Sequence, residues 1–303
     1  MKIVRTSYFK NRQADLEWYY DWANRLEQFS GHLYQKLEIK TDLGNTLIWQ
    51  TGNLNAKKTI VIFPGFRTSP LFWDLDKGLD YLMDDFKIYL VETNGQPNPS
   101  DGNSPAIRSL DYGHWANQVL DELKIEKTSI AGASFGGLVC MKLAIVAPEK
   151  IEGVFLFNAG CLQPFSLSWK NLSANLKPIL FPSKKNVLSF LDTAVFYKPN
   201  HQLSQEAEEL IVEYQMNVLT RYKDKTQKPY YMGDELKKVQ VPTYLLEGDK
   251  DILFPFQKSI ANAKEQISSI KDVIVFENVG HGIETYRPAL EKMAGCLNAS
   301  SVK

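Results

Sequence analysis

The sequence predicts an α/β chain, a mostly parallel sheet with helices on both faces. Short apolar runs of about five residues recur along it, each closed by a turn signal. The later runs alternate with stretches of helical periodicity. The runs are apolar at nearly every position, and such strands are buried on both faces, as in a parallel sheet under helices.

In chain order, residues 12–30 place Leu16, Tyr19, Trp22, Leu26 and Phe29 at helical spacing, which predicts an N-terminal helix. Its apolar stripe is expected to pack on the sheet edge or on the cap described below. Strands are expected over residues 34–40 and 46–50, split by the turn signal at 42–45. Residues 59–63 and 87–91 are buried strands, ending at Pro64-Gly65 and Asn94-Gly95. A helix over 112–123 precedes a strand over 127–131 and a helix over 135–147. Further strands follow over 153–157, 243–247 and 272–276, making eight. The alternation fails once, between Cys161 and about Lys238. No strand periodicity shows there, only helical stretches broken at Pro164, Pro178, Pro182, Pro199 and Pro229. So long a stretch reads as an inserted helical cap over about 161–238. Residues 1–303 are expected to form a single domain.

Composition narrows the function. Lys+Arg and Asp+Glu both number 35, so no net charge favours nucleic acid, and no such partner is expected. The cysteines Cys140, Cys161 and Cys296 follow no metal or disulfide spacing, which suits a reducing compartment. No leader-like apolar core follows the first residues, and no run reaches the length of a membrane span. A cytoplasmic chain without a membrane partner is the expectation. No G-x-G-x-x-G or phosphate-cradling loop appears, so no cofactor is expected, and no metal.

The chemistry centres on Gly132-Ala-Ser134-Phe-Gly136. Where a strand turns abruptly into a helix, the residue at the turn is strained, and its neighbours two before and two after must be small. A serine there is held clear of the backbone. The N–H of Phe135, at the helix start, faces any oxyanion forming beside it. G-x-S-x-G is weak by itself. Its place between a strand and a helix is what strengthens it.

Such a serine needs a base, and the chain has four histidines, His32, His114, His201 and His281. His281, in Asn278-Val-Gly-His281-Gly282, follows the last strand on a glycine-flanked loop. Sites in parallel sheets form at those C-terminal strand ends. The base in turn needs an acid to hold its tautomer. Asp249 and Asp251 compete, both in the loop after the seventh strand, and Asp251 is preferred. Asn158 occupies the other usual acid position, after the sixth strand.

The order Ser134, Asp251, His281, each after a strand, resembles the α/β-hydrolase fold family over residues 34–298. Gly248-Asp-Lys-Asp251-Ile-Leu-Phe-Pro255 matches the family's G-x-x-D-x-x-x-P, and Gly280-His281 its G-H. The resemblance implies an eight-stranded mostly parallel sheet flanked by helices, and it assigns the acid to Asp251. It implies a second oxyanion donor, the N–H of Phe66, from the segment Phe63-Pro64-Gly65-Phe66. Within the family the chain resembles the carboxylesterase-like members. Pro64 replaces the family's usual histidine, Glu92 stands where an Asp is frequent, and Tyr286-Arg-Pro288 replaces E-x-P.

The expected function is a serine hydrolase that cleaves a small-molecule ester through an acyl-enzyme. The ten aromatic residues between Phe165 and Tyr231 suggest a cap that receives an apolar acyl or aryl group. Other acyl chemistries on the same three residues (thioester, lactone or carbon–carbon cleavage) compete with it. A non-catalytic ligand-binding protein is the alternative of another class. Arg67 is expected in a surface ion pair rather than on a substrate carboxylate.

Overall fold

A computed structural model describes residues 1–225 and 227–300. Its centre is an eight-stranded sheet of β1 (Gln35–Thr41), β2 (Gly44–Gly52), β3 (Lys58–Phe63), β4 (Phe86–Val91), β5 (Thr128–Ala133), β6 (Ile151–Phe157), β7 (Thr243–Gly248) and β8 (Ile270–Phe276). The order across the sheet is β8-β7-β6-β5-β3-β4-β2-β1. Only β2 runs against the others, pairing antiparallel with β1 and β4. The strands run one or two residues longer than the periodicity marks at some ends. β5, for example, continues through Ala133 to the serine itself.

The alternation of the central strands divides the interior in two. Ile60 and Ile62 face one core, with Leu90, Phe157 and Leu246. Val61 and Phe63 face the other, with Val91, Leu156 and Leu245. Helices α2 (Asp111–Glu122) and α3 (Phe135–Val146) cover the second face. Burial on both faces explains the continuous apolar runs.

Helix α1 (Arg12–Ser30) is capped by the Asn11 side chain and ends at Gly31, whose φ of 76° is the left-handed conformation glycine adopts freely. Its buried stripe, Tyr19, Trp22 and Leu26, joins the first core. The helix packs on residues 70–77 and on α6 (Gln205–Arg221). Trp22 Nε1 donates to the Leu210 carbonyl at 3.0 Å, and Arg221 pairs with Asp15 at 3.0 Å.

Tyr19 also reaches Glu92, just past the end of β4. The Glu92 carboxyl is fully buried and takes hydrogen bonds from Tyr19, from Trp49 at 2.9 Å and from Ser69 at 3.0 Å. Burial raises its pKa to about 7, against the lowering effect of those three donors. Below pH 4.5 both the folded and the unfolded chain hold the proton, and this group exacts no penalty. As pH rises from 4.5 to about 7, the unfolded chain ionises first, so stability is lost over that window. The loss is about 3 kcal/mol. Denaturant unfolding at pH 5 and pH 8 is expected to show this fall, and Glu92→Gln should flatten it. An equal pH slope in both proteins would show that Glu92 does not carry it.

Between β6 and β7 lie α4 (Trp169–Leu180), α5 (Lys184–Phe190) and α6. Two details differ from the sequence reading. Pro178 does not break a helix but lies inside the last turn of α4, where one missing N–H costs a single bond and the buried ring packs inward. Tyr222–Lys223, in a region expected to lack strands, pairs with Tyr8–Phe9. No helix among the described residues is long and apolar enough to cross a membrane.

Candidate active site

Ser134 sits between the last residue of β5 and the first of α3 with φ 50° and ψ −110°, a strained conformation for a residue with a side chain. The neighbouring glycines are sterically required. A Cβ on Gly136 would lie 2.0 Å from the Phe63 carbonyl oxygen, and one on Gly132 would lie 2.3 Å from the Gly136 carbonyl carbon. Gly136→Ala is therefore expected to cost about 3 kcal/mol or more, because backbone rather than a flexible side chain blocks the methyl. Thermal unfolding of the purified variant checks this, and a melting temperature equal to wild type would contradict it. The serine's backbone is tied as well. Its N–H donates to the Phe157 carbonyl at 2.9 Å, and its own carbonyl accepts from Gly160 at 3.0 Å.

His281 approaches from the loop after β8. Its Nδ1 lies 2.7 Å from Asp251 Oδ2. The other carboxylate oxygen of Asp251 accepts from the N–H groups of Leu253 at 2.7 Å and Phe254 at 3.1 Å, which orients the carboxylate. Burial lowers the His281 pKa, but the charge of Asp251 and its hydrogen bond outweigh this, and the net direction is up. Asp249 plays a different part. Its Oδ1 accepts from Asn278 N–H at 2.6 Å, and its Oδ2 pairs with Lys250 at 2.6 Å. It anchors the loop rather than meeting the imidazole.

The Gly65–Phe66 turn stands against the serine. A Cβ on Gly65 would be 3.4 Å from Ser134 Cβ. The rings of Phe66 and Phe135 stack at 4.0 Å between centroids. The N–H of Phe135 belongs to the first turn of α3, where no earlier helical carbonyl accepts it. Arg67 N–H donates to Gln96 at 3.0 Å, and its guanidinium pairs with Asp224 at 2.5 Å, so it is engaged in the protein.

Several residues that support this arrangement have no local signal in the sequence. Asn158, with φ 43°, donates to the carbonyls of Gly280 and His281, each at 3.0 Å, and accepts from Gly248 N–H at 2.8 Å. It fixes both the acid loop and the histidine loop. His201 is buried, and burial lowers its pKa to about 4. Its Nδ1 accepts from Gly280 N–H at 3.3 Å, and Nε2 faces Thr285 Oγ1 at 3.1 Å. The remaining histidines are elsewhere. His32 pairs with Asp74 and Asp80, and His114 is exposed on α2.

Ser134, Phe66, Phe135 and His281 all line one cavity of about 470 Å³. Leu176, Ile179, Val187, Phe190 and Ile211, from the segment between β6 and β7, line it as well. Of the ten aromatic residues of that segment, only Phe165, Phe190 and Tyr230 reach the cavity. Tyr214, Phe196 and Tyr222 are instead buried in packing, while Trp169 and Phe181 face outward. Glu284 is a further lining residue, buried, with its pKa raised by burial against the opposing pull of His281. Burial also raises the pKa of Cys161, to about 12, and that of Cys140, so neither thiol is an available nucleophile. Among the described residues, no group of three His, Cys, Asp or Glu side chains could hold a metal ion.

Comparison with known proteins agrees with this architecture. Carboxylesterase YbfK of Bacillus subtilis is 25% identical over 254 residues, covering 82% of each chain. The crystal structure of carboxylesterase CesB (YbfK) from Bacillus subtilis superposes with a TM-score of 0.77 at 19% identity, covering 95% of this chain and 98% of that one. Naproxen esterase from the same organism gives 0.76 at 21% identity, over 92% and 96% of the two chains. Residues 94–285, which include Ser134, Asp251 and His281, match the family model described as serine aminopeptidase, S33. With most of its length inside that match and an α/β-hydrolase sheet around it, the chain belongs to the S33 serine aminopeptidase family of α/β-hydrolases.

Proposed function

We propose that this hydrolase is a carboxylesterase acting on esters with an apolar acyl or aryl group. The observation that carries the reading is the strained Ser134 opening into a largely apolar cavity that also holds His281, whose Nδ1 is bonded to Asp251. In this mechanism His281 takes the Ser134 proton as Oγ attacks the ester carbonyl carbon. The oxyanion is received by the N–H groups of Phe66 and Phe135, each worth about 3 kcal/mol. The imidazolium gives its proton to the leaving alcohol as the carbon–oxygen bond breaks. Water, deprotonated by the same imidazole, then attacks the acyl-enzyme and restores Ser134.

The cavity also speaks for esters over aminopeptidase substrates. Among the described residues, Glu284 is the one carboxyl group lining it, and Arg67 and Lys228 line it too, so the cavity offers no net negative charge to an α-ammonium group. The relatives named above as carboxylesterases favour the same choice.

The test is labelling with a fluorophosphonate probe, with the adduct mapped by mass spectrometry, beside hydrolysis of p-nitrophenyl esters of increasing acyl length. The expected result is an adduct on Ser134 and turnover that rises with acyl length until the cavity is filled. A folded protein that neither labels nor turns over any ester would favour a non-catalytic ligand-binding role. Faster hydrolysis of thioesters or aminoacyl amides than of oxygen esters would reassign the substrate class.

A further inference from the structure

Six of the thirteen large hydrophobic side chains exposed on the described surface fall within fifteen residues of the chain, at Leu167, Trp169, Leu176, Ile179, Leu180 and Phe181. Trp169 is 84% exposed and Phe181 68%. They belong to α4 and its flanks. Positions 169, 172, 176, 179 and 180 recur at i, i+3, i+7, i+10 and i+11, which puts them on one helical stripe. A core-facing helix buries such a stripe, yet among the residues of α4 only Asn171 and Pro178 are buried.

The charges around the stripe are all of one sign. Lys170, Lys177, Lys184 and Lys185 are exposed, and no Asp or Glu occurs from residue 162 to residue 191. The chain as a whole balances its charges, so this purely basic segment stands against a remainder in which acidic residues outnumber basic ones. Exposed Trp, Phe and Leu beside lysines, without carboxylates, match the composition of helices that lie in the interface of an anionic bilayer. A second copy of the same face would set lysine against lysine.

The stripe is also continuous with the cavity, because Leu176 and Ile179 line it while remaining partly exposed on the stripe. We infer that α4 and the following residues 181–185 form a docking surface for an anionic lipid bilayer, which sets the mouth of the cavity against the acyl region of the membrane. The expectation that no membrane takes part rested on the lack of a spanning segment. A helix lying flat needs none.

The experiment is co-sedimentation of the full chain carrying Ser134→Ala, which leaves the lipid intact, with vesicles of phosphatidylcholine alone or mixed with phosphatidylglycerol. The expected result is binding to the mixed vesicles that weakens with salt, and little binding to phosphatidylcholine. Lys170→Gln with Lys177→Gln should weaken it about 25-fold, at about fivefold per charge. Trp169→Ser with Phe181→Ser should weaken it about tenfold or more. The same surface pairs made in the wild-type background should keep hydrolysis of p-nitrophenyl acetate near the wild-type rate, which separates lost docking from lost folding. Absence of binding to anionic vesicles at low salt overturns the inference, as does binding that neither pair of substitutions weakens. Light scattering that shows a dimer converted to monomer by Trp169→Ser with Phe181→Ser would assign the face to a second copy and overturn it too. Binding is measured with the nucleophile removed, so the result does not depend on the chemistry proposed for Ser134.

Discussion

Replacing Ser134 with alanine is expected to lower kcat for ester hydrolysis by about 10⁶, while substrate binding in the cavity persists. The substitution removes only Oγ, and the turn around it stays in place. That turn is held by β5, by the Phe157 and Gly160 backbone bonds, and by the packing of Gly132 and Gly136. A backbone with φ 50° at a residue bearing a Cβ carries strain that glycine would relieve. Ser134→Gly should therefore be more stable than Ser134→Ala by about 1 kcal/mol, although equally inactive. Single-turnover kinetics and thermal unfolding read the two effects separately. Residual turnover within tenfold of wild type would remove Ser134 from the nucleophile's role.

Asp251→Asn is expected to cost about 10⁴ in kcat. The carboxylate now accepts from Leu253 and Phe254 on one oxygen and from His281 Nδ1 on the other. In the amide, the oxygen keeps the two backbone donors, and the NH₂ turns toward His281. The imidazole must then carry its proton on Nε2, where it cannot accept one from the serine. The pH profile should change as well. In the proposed mechanism the base works as neutral imidazole, so activity should fall as pH drops through the His281 pKa, which Asp251 holds above its ordinary value. Without that charge, the acid limb of whatever activity remains should move to lower pH. Asp249→Asn is the contrast. Asp249 holds the Asn278 amide and Lys250, so its loss should reduce stability by about 1 kcal/mol and leave kcat within about tenfold. Comparable losses of activity in the two variants would mean that Asp251 acts only as a loop anchor.

These residues were legible in the sequence to different degrees, for physical reasons. The turn at Ser134 announces itself because its constraint is local. A strand, a helix and two obligatory glycines lie within a few residues of one another. The strands announce themselves because burial on both faces leaves apolar residues at nearly every position. Asp249 and Asp251 were harder to separate, since both are acids in the same short loop and only their tertiary partners differ. The roles of Asn158 and His201 had no local trace. Asn158 holds a loop 122 positions away, and His201 holds Gly280 at a separation of 79. The destination of the aromatic residues was equally hidden. Tyr214 and Trp169 carry similar rings, but one is fully buried and the other faces outward, and nothing in their immediate neighbours decides which.

The N-terminal helix has a consequence for how the chain is made. The side of α1 that meets α6 is completed by Leu210, Glu213 and Arg221, at separations of 188 to 206 residues. At about 5–20 residues per second of synthesis, Tyr19, Trp22 and Leu26 leave the ribosome roughly 10–40 s before those partners exist. For that interval only residues 69–77 and the end of β4 are there to receive the helix, and the face that meets α6 stays uncovered. Its first binding partner during translation must be a holding factor, the nascent chain itself, or another nascent chain on the same message.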